Sequence, residues 1–515
     1  MKALKYIFIL SFAVLVACND LIDLAPQSNL NTTSYYSNVG EVNNALIGCY
    51  NGLQKTLNEE WQLTELRSDN TVMGATTSQS QVNRDLSDLD MFFPSTSHLG
   101  NYNYWQNTYY NIRNINILLN SISVNYNESK GELTYDDLKN FISLADRKKV
   151  AAEASFLRAY HYFNLVRLYG GVFLAHEPVT PEEAKDINRT TTDVIYKLIV
   201  ADLLNAVANG VAVKQAVIPA NDLGRANAWA AKTLLAKVYL TLNRKVEAAT
   251  LLQDIITNSG YKLQTDYASI FSIANEMNSE VMFAIRFKGG GLGIGSTLPN
   301  QFAPLNSGAA VANGDGRGYN YPSQELNNLY AATDTRKAAN IGVLGTGTAA
   351  KLYPKKLISS PAIANDAEND WVVLRYADVL LMLSEAQGNT SASLALINQT
   401  RTRAGLTALA DTSVKTIALF ENVLSNERRL EFAFENHRWF DLLRANTTFT
   451  TIKIEKTMFD HQTVMYPLHY KNYPVPVLTL AQLQAFVTKE RMLLPIPQRE
   501  IDNNTRIKID QNPGY

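Results

Sequence analysis

The sequence predicts a mainly α protein, built from tetratricopeptide-like helical hairpins and an irregular loop-rich lobe with a few short strands. Two observations predict this. Apolar residues recur at three- and four-residue spacing in stretches that come in pairs, and between them lie long stretches rich in Gly, Ser, Thr, Asn and Asp without any period. At 515 residues, 46% hydrophobic and 18% charged, the chain is long enough for a large core and too apolar for disorder. Its 47 basic and 48 acidic residues give a net charge of -1, so the phosphate attraction that drives nucleic-acid binding is missing and no nucleic-acid partner is expected.

At the N-terminus, Lys2 and Lys5 precede the apolar run "YIFILSFAVLVA". It is short for a membrane span but suits the apolar region of a secretory signal. It ends in "LVAC", where Leu15, Val16 and Ala17 before Cys18 resemble the bacterial lipobox. Residues 1–17 then form a lipoprotein signal peptide, and Cys18 carries acyl chains whose buried methylenes each contribute about 0.8 kcal/mol of membrane affinity. Asn19, Asp20 and Asp23, just beyond, resemble a surface-display signal. The one other cysteine, Cys49, shares a helical face with Val42, Leu46 and Leu53 and reads as a small buried hydrophobe.

The N-terminal helical region, 18–260, carries helical periodicity over Val42 to Leu57, Tyr104 to Ser121, Ala145 to Tyr169, Thr192 to Val207, Ala226 to Leu242 and Lys245 to Asn258. The last two form a hairpin in which Ala231, Leu234, Leu235 and Val238 face Ala248, Leu251, Leu252 and Ile255. A polar loop insertion, 71–103, interrupts this region. The C-terminal region, 261–515, begins loop-rich over 261–370, is helical over 371–445 and ends in an irregular tail. The glycines of "KGGGLGIG" do not make a phosphate cradle: no G-x-G-x-x-G is present and no helix opens behind them.

Within the helical part, "NERRLEFAFENHRWFDLLR" (426–444) crowds bulky residues around a helix, so its charges are partly buried and must be paired. Arg428 with Glu431, Glu435 with Arg438, Arg438 with Asp441 and Asp441 with Arg444 stand at pairing distance along a helix. The competing reading is a glycosidase carboxylate pair, Glu431 and Glu435. Surrounding arginines would keep both ionised, whereas a general acid must hold a proton, so the stretch reads as structural. No H-E-x-x-H, no G-x-S-x-G and no metal-spaced Cys/His set appears, and His161 in "RAYHYF" reads as a core residue. No catalytic residue, cofactor or metal is expected.

Five segments carry a resemblance: "AEASFLRAYHYFNLVRLYGGV", "RANAWAAKTLLAKVYL", "LRYADVLLMLSEA", "NERRLEFAFENHRWFDLLR" and the terminal "LLPIPQREIDNNTRIKIDQNPGY". In this order they resemble the motifs of SusD/RagB proteins, the surface lipoproteins of Bacteroidetes nutrient-uptake systems. The resemblance implies a SusD-like fold, lipid-anchored at the outer membrane and facing the cell exterior. It also implies a SusC-like TonB-dependent transporter as partner, an oligosaccharide or polysaccharide ligand (sometimes a peptide), and no enzymatic activity. In this family the variable loops carry recognition.

A glycan site needs exposed aromatic rings for the C–H faces of sugars, beside amide or guanidinium donors for their hydroxyls. Two stretches meet that description. "NYNYW" places Asn101, Tyr102, Asn103 and Tyr104 at a loop–helix junction, and "GRGYNYP" places Arg317, Tyr319, Asn320 and Tyr321 in the loop-rich region. In extended backbone, alternating tyrosines would share one side. Asn101, Tyr102, Tyr104, Arg317, Tyr319 and Tyr321 are therefore the expected ligand residues. Trp105, on one helical face with Tyr109, Ile112 and Asn116, is assigned to the core.

Overall fold

The computed structural model describes residues 36–73, 81–136, 141–347, 350–469 and 477–515, so Cys18 and the signal segment lie outside the described residues. Helices dominate, in the expected order. They are α1 (Val39–Thr64), α2 (Gln81–Asp90), α3 (Leu99–Ser121), α4 (Leu144–Tyr169), α5 (Thr192–Asn209), α6 (Ala228–Thr241) and α7 (Lys245–Asn258). After the loop lobe follow α8 (Tyr376–Gln387), α9 (Ser391–Arg403), α10 (Ile417–Glu431), α11 (Arg438–Thr448) and α12 (Ile454–His469).

These helices stack as neighbouring pairs: α1 on α3, α4 on α5, α6 on α7, then α7 on α8 and α8 on α9. Small residues allow the close approach. In the α6–α7 hairpin Ala231, Leu234, Leu235, Val238, Ala248, Leu252 and Ile255 are buried as expected, and Leu251 is half-buried. From Val150 onward α4 is buried on nearly every side, with His161 accepting from the Asn111 side-chain amide at 2.8 Å and burial holding its pKa near 3. Cys49 is 2% exposed, and burial pushes its thiol up to about 12. One apolar core runs from Val42 to Ile509, joining the N-terminal helices to the C-terminal tail.

Strands are short and paired in antiparallel twos. Val281–Ile285 pairs with Trp371–Arg375, and Thr71–Val72 with Tyr321–Pro322. The second ladder fastens the 71–103 insertion to the loop lobe. That insertion is not loop throughout, since it holds α2 and the first turns of α3. The tail likewise carries α12 where irregular chain was expected.

The 426–444 stretch departs most from its reading as one helix. α10 ends at Glu431, and a turn with Phe434 at φ 66° and Asn436 at φ 60° leads into α11 at Arg438. Left-handed backbone at a phenylalanine is costly and needs outside support. Glu65, just past the end of α1, supplies it by accepting from the amides of Phe434 (3.0 Å) and Asn436 (3.1 Å).

Candidate functional site

Two regions hold the residues that sequence singled out for chemistry. The first is the buried lattice around Glu431 and Glu435. Arg375 donates to Glu431 at 2.6 Å, to Glu435 at 2.8 Å and to Glu280 at 2.9 Å. Arg336 reaches Glu431 at 3.0 Å and Glu427 at 2.7 Å, Arg403 also bonds Glu431, and Lys356 bonds Glu435 at 2.7 Å.

Of the pairs expected along a single helix, Asp441 with Arg444 forms, at 3.0 Å. The break at 432–437 redirects the others: Arg428 holds Asp441 at 2.8 Å, and Arg438 holds Asp69 at 2.7 Å. Burial alone would raise the Glu431 carboxyl, but Arg403, Arg375 and Arg336 hold it well below the usual carboxylate range. Arg375 and Lys356 likewise hold Glu435 low against its burial. Glu431 is 0% and Glu435 4% exposed. No sugar reaches them, and neither carries a proton to give.

The second region is the face of the loop lobe. The backbone amides of Arg317, Gly318 and Tyr319 donate in turn to the carbonyls of Asn300 (2.8 Å), Ala303 (2.9 Å) and Gln301 (3.0 Å). This clamps 317–319 onto the short helix Leu298–Phe302. Glycine is required beside it, because a Cβ on Gly316 would lie 2.2 Å from the Pro304 carbonyl oxygen. So fixed, Tyr319 is half-buried and stacks on Trp61 of α1, with centroids 6.3 Å apart and planes 20° apart. Trp61 meets Phe302 edge-on at 5.0 Å. Arg317 beside it is exposed, and no hydrogen bond or ion pair among the described residues holds its guanidinium. The Tyr319 hydroxyl is raised by burial and partly offset by that cation. Tyr321 is half-buried too, but its hydroxyl accepts from the Leu305 amide at 3.1 Å. Asn320 between them is buried at φ 59°, so the segment is kinked rather than extended.

The first predicted stretch behaves differently. His98 caps α3 by accepting from the Asn101 amide at 3.0 Å, so "NYNYW" is already helical. Its tyrosines therefore do not share one side. Asn101 is fully buried, donating to the Pro495 carbonyl at 2.9 Å and accepting from the Tyr169 hydroxyl at 2.7 Å. Tyr104 is fully buried against Tyr169. Both leave the candidate site. Tyr102 stays half-exposed, with the Arg499 guanidinium 4.7 Å from its ring centroid.

The two stretches approach the same turn of α1. Asn58 accepts from Thr297 of the loop lobe at 3.2 Å and Trp61 carries Tyr319, while Glu59 bonds Asn103 of α3 and accepts from Gln62 at 2.8 Å. Burial raises the Glu59 carboxyl to about 7 against those two hydrogen bonds. Asn58, Glu59 and Gln62 escaped sequence reasoning because a polar turn on an amphipathic helix looks like any solvated face. The arrangement offers an aromatic ring on a rigid support, a free guanidinium and amides, which suits polar ligands with flat apolar faces.

Known proteins resemble this chain over most of its length. The sequence model of the SusD family matches residues 318–515, and that of starch-binding proteins associating with the outer membrane matches residues 20–240. This chain belongs to the SusD/RagB family. SusD-like protein P25 of Formosa agariphila is 26% identical over 90% of this chain and 94% of its own length. A SusD-like protein of Bacteroides ovatus is 27% identical over 59% of this chain and 60% of its own. Among solved structures, a laminarin-binding SusD-like protein superposes with a TM-score of 0.72 at 23% identity, covering 93% of this chain and 100% of that one. Surface glycan-binding protein A from Bacteroides thetaiotaomicron, in complex with laminarihexaose, gives 0.71 at 18% identity over 92% and 99%. These likenesses establish the SusD fold for the family member described here.

Proposed function

We propose that this SusD-family protein captures an oligosaccharide at the cell exterior and delivers it to a SusC-like TonB-dependent transporter, with no chemistry of its own. The observation that carries the reading is Tyr319, held half-exposed on Trp61 beside the free guanidinium of Arg317. Laminarin and laminarihexaose binding by proteins of the same fold supports a glycan as the ligand class, and the N-terminal family description supports the outer membrane as the location.

Calorimetric titration of the protein with a panel of glycans and peptides tests the reading. Saturable binding of a glycan, with no hydrolysis products, is the expected result. Binding confined to peptides would overturn the ligand class, and turnover of a glycan would overturn the absence of catalysis. The proposed anchor is Cys18, outside the described residues. Cys18→Ala should move the protein from the membrane to the soluble fraction in cells lacking the transporter, since acyl chains supply nearly all the membrane affinity. Retention in the membrane would contradict it.

A further inference from the structure

A cavity of about 410 Å³ lies away from the loop lobe, between α3, the segment that follows α4 and the C-terminal tail. Its inner wall is aromatic, with Tyr109 and Phe173 half-buried at its surface and Trp105, 1% exposed, buried beside them. Trp105 packs against Tyr109 with centroids 5.0 Å apart and meets Phe173 edge-on at 5.5 Å. The Trp105 side chain also bonds the Glu500 carboxylate, and Tyr109 donates to the Phe173 carbonyl at 2.8 Å. Trp105 and Ile112 are core residues as the sequence assigned them, each 1% exposed, and the half-buried Tyr109 and Phe173 beside them form the wall of the recess.

The opposite walls are tied in place. Asn504 donates to the Lys185 carbonyl at 3.0 Å, and Arg506 pairs with Asp186 at 3.0 Å, which holds the 182–187 segment to the tail. At the mouth stand Gln106, Arg113, Glu177 and Asn503, all exposed, and no hydrogen bond or ion pair among the described residues holds Arg113 or the Glu177 carboxylate.

We propose that this recess is a second saccharide site, separate from the Tyr319 face and taking one or two sugar rings at a chain end. Its volume is at the small end of the roughly 300–1,000 Å³ of ligand cavities, which limits the occupant. The aromatic wall suits the C–H face of a ring. Hydroxyls both donate and accept, and the mouth offers guanidinium and amide donors together with carboxylate acceptors, a mixture that an acyl chain would not use. Tyr102 stands at its edge, since Gln106 donates to the Tyr102 hydroxyl at 3.2 Å and Arg499, which covers its ring, precedes Glu500 of the wall.

The choice of a sugar rests on the proposed function, so the experiment must separate the two sites. Saturation-transfer NMR with laminaribiose, cellobiose and the dipeptide Gly-Phe would be run on the full chain and on three variants. Arg113→Ala and Ala184→Trp alter exposed positions at the mouth, and Arg317→Ala alters the loop lobe alone. Disaccharide binding weakened about tenfold by Arg113→Ala and Ala184→Trp, and untouched by Arg317→Ala, is the expected outcome. Disaccharide binding lost only in Arg317→Ala would overturn the recess and leave the loop-lobe site standing. Binding of Gly-Phe without either sugar would overturn the ligand class, and no saturable binding to any variant would overturn the recess altogether.

Discussion

The lattice around Glu431 and the face around Tyr319 use the same materials, arginine beside aromatic rings, to opposite ends. In the lattice Arg375 lies 4.3 Å from the Phe432 ring centroid and satisfies three carboxylates in a space closed to water. On the loop lobe Arg317 has an aromatic neighbour and no carboxylate partner among the described residues. A buried cation is useful only when its charge is neutralised, whereas an exposed one keeps its hydrogen bonds for a ligand. Density of charged residues therefore marks architecture here, and the sparsely charged loop is where the proposed recognition surface lies.

The largest expected effect breaks the lattice. Arg375→Ala would remove the cation shared by Glu280, Glu431 and Glu435, leaving three buried carboxylates to Arg403, Arg336 and Lys356, and should cost roughly 3 to 5 kcal/mol, read as a fall in the denaturation midpoint. An unchanged midpoint would show that the carboxylates find other partners. Arg438→Ala should cost less, because Arg429 still pairs with Asp69 at 3.1 Å.

On the other side of the comparison, Tyr319→Ala should weaken glycan affinity by roughly 1 to 3 kcal/mol with the melting temperature unchanged. Tyr102→Ala should do less to a long glycan than Tyr319→Ala, because Tyr102 borders the recess and not the loop lobe. Equal losses would merge the two surfaces into one site.

The smallest effect is on pH dependence. Burial raises Glu60, Glu65 and Asp90 to about 7, so they take up protons on folding and stability should rise as pH falls from 8 toward 6.5, below which His161, His437 and His469, held near 3 by burial, oppose the gain. The arginine partners of Glu431 and Asp441 hold those carboxylates low despite burial. Their contribution is present above the usual carboxylate range and is lost as pH falls below it. A melting temperature that rises as pH falls from 8 to 6.5 is expected; one that falls over that range would contradict the raised carboxylates.

Much of this was legible in the chain, for identifiable reasons. Helices α1 and α3 to α7 follow three- and four-residue periodicity, which is local information. The break at Phe434 and Asn436 was not legible, because it depends on Glu65, 369 and 371 residues away, and because a three-residue spacing of charges fits a broken helix as well as a whole one. Tyr319 was singled out by its setting of glycine, arginine and tyrosine, and the structure leaves it half-buried on Trp61. Asn101 and Tyr104 were misplaced because the His98 cap starts α3 before its apolar rhythm begins. The face of Trp105, Tyr109 and Ile112 was assigned to the core, and Trp105 and Ile112 lie there, each 1% exposed. Only the tail, packed across it from the far end of the sequence, makes Tyr109 part of a cavity wall.

The most direct test of the division between the two regions measures melting temperature and glycan titration together on Tyr319→Ala and Glu431→Gln. Tyr319→Ala should lose affinity and keep its melting temperature. Glu431→Gln should melt at lower temperature, bind the glycan normally while folded, and show no hydrolysis with or without the substitution. Normal binding by Tyr319→Ala, or a hydrolytic rate in the native protein that vanishes in Glu431→Gln, would contradict the account.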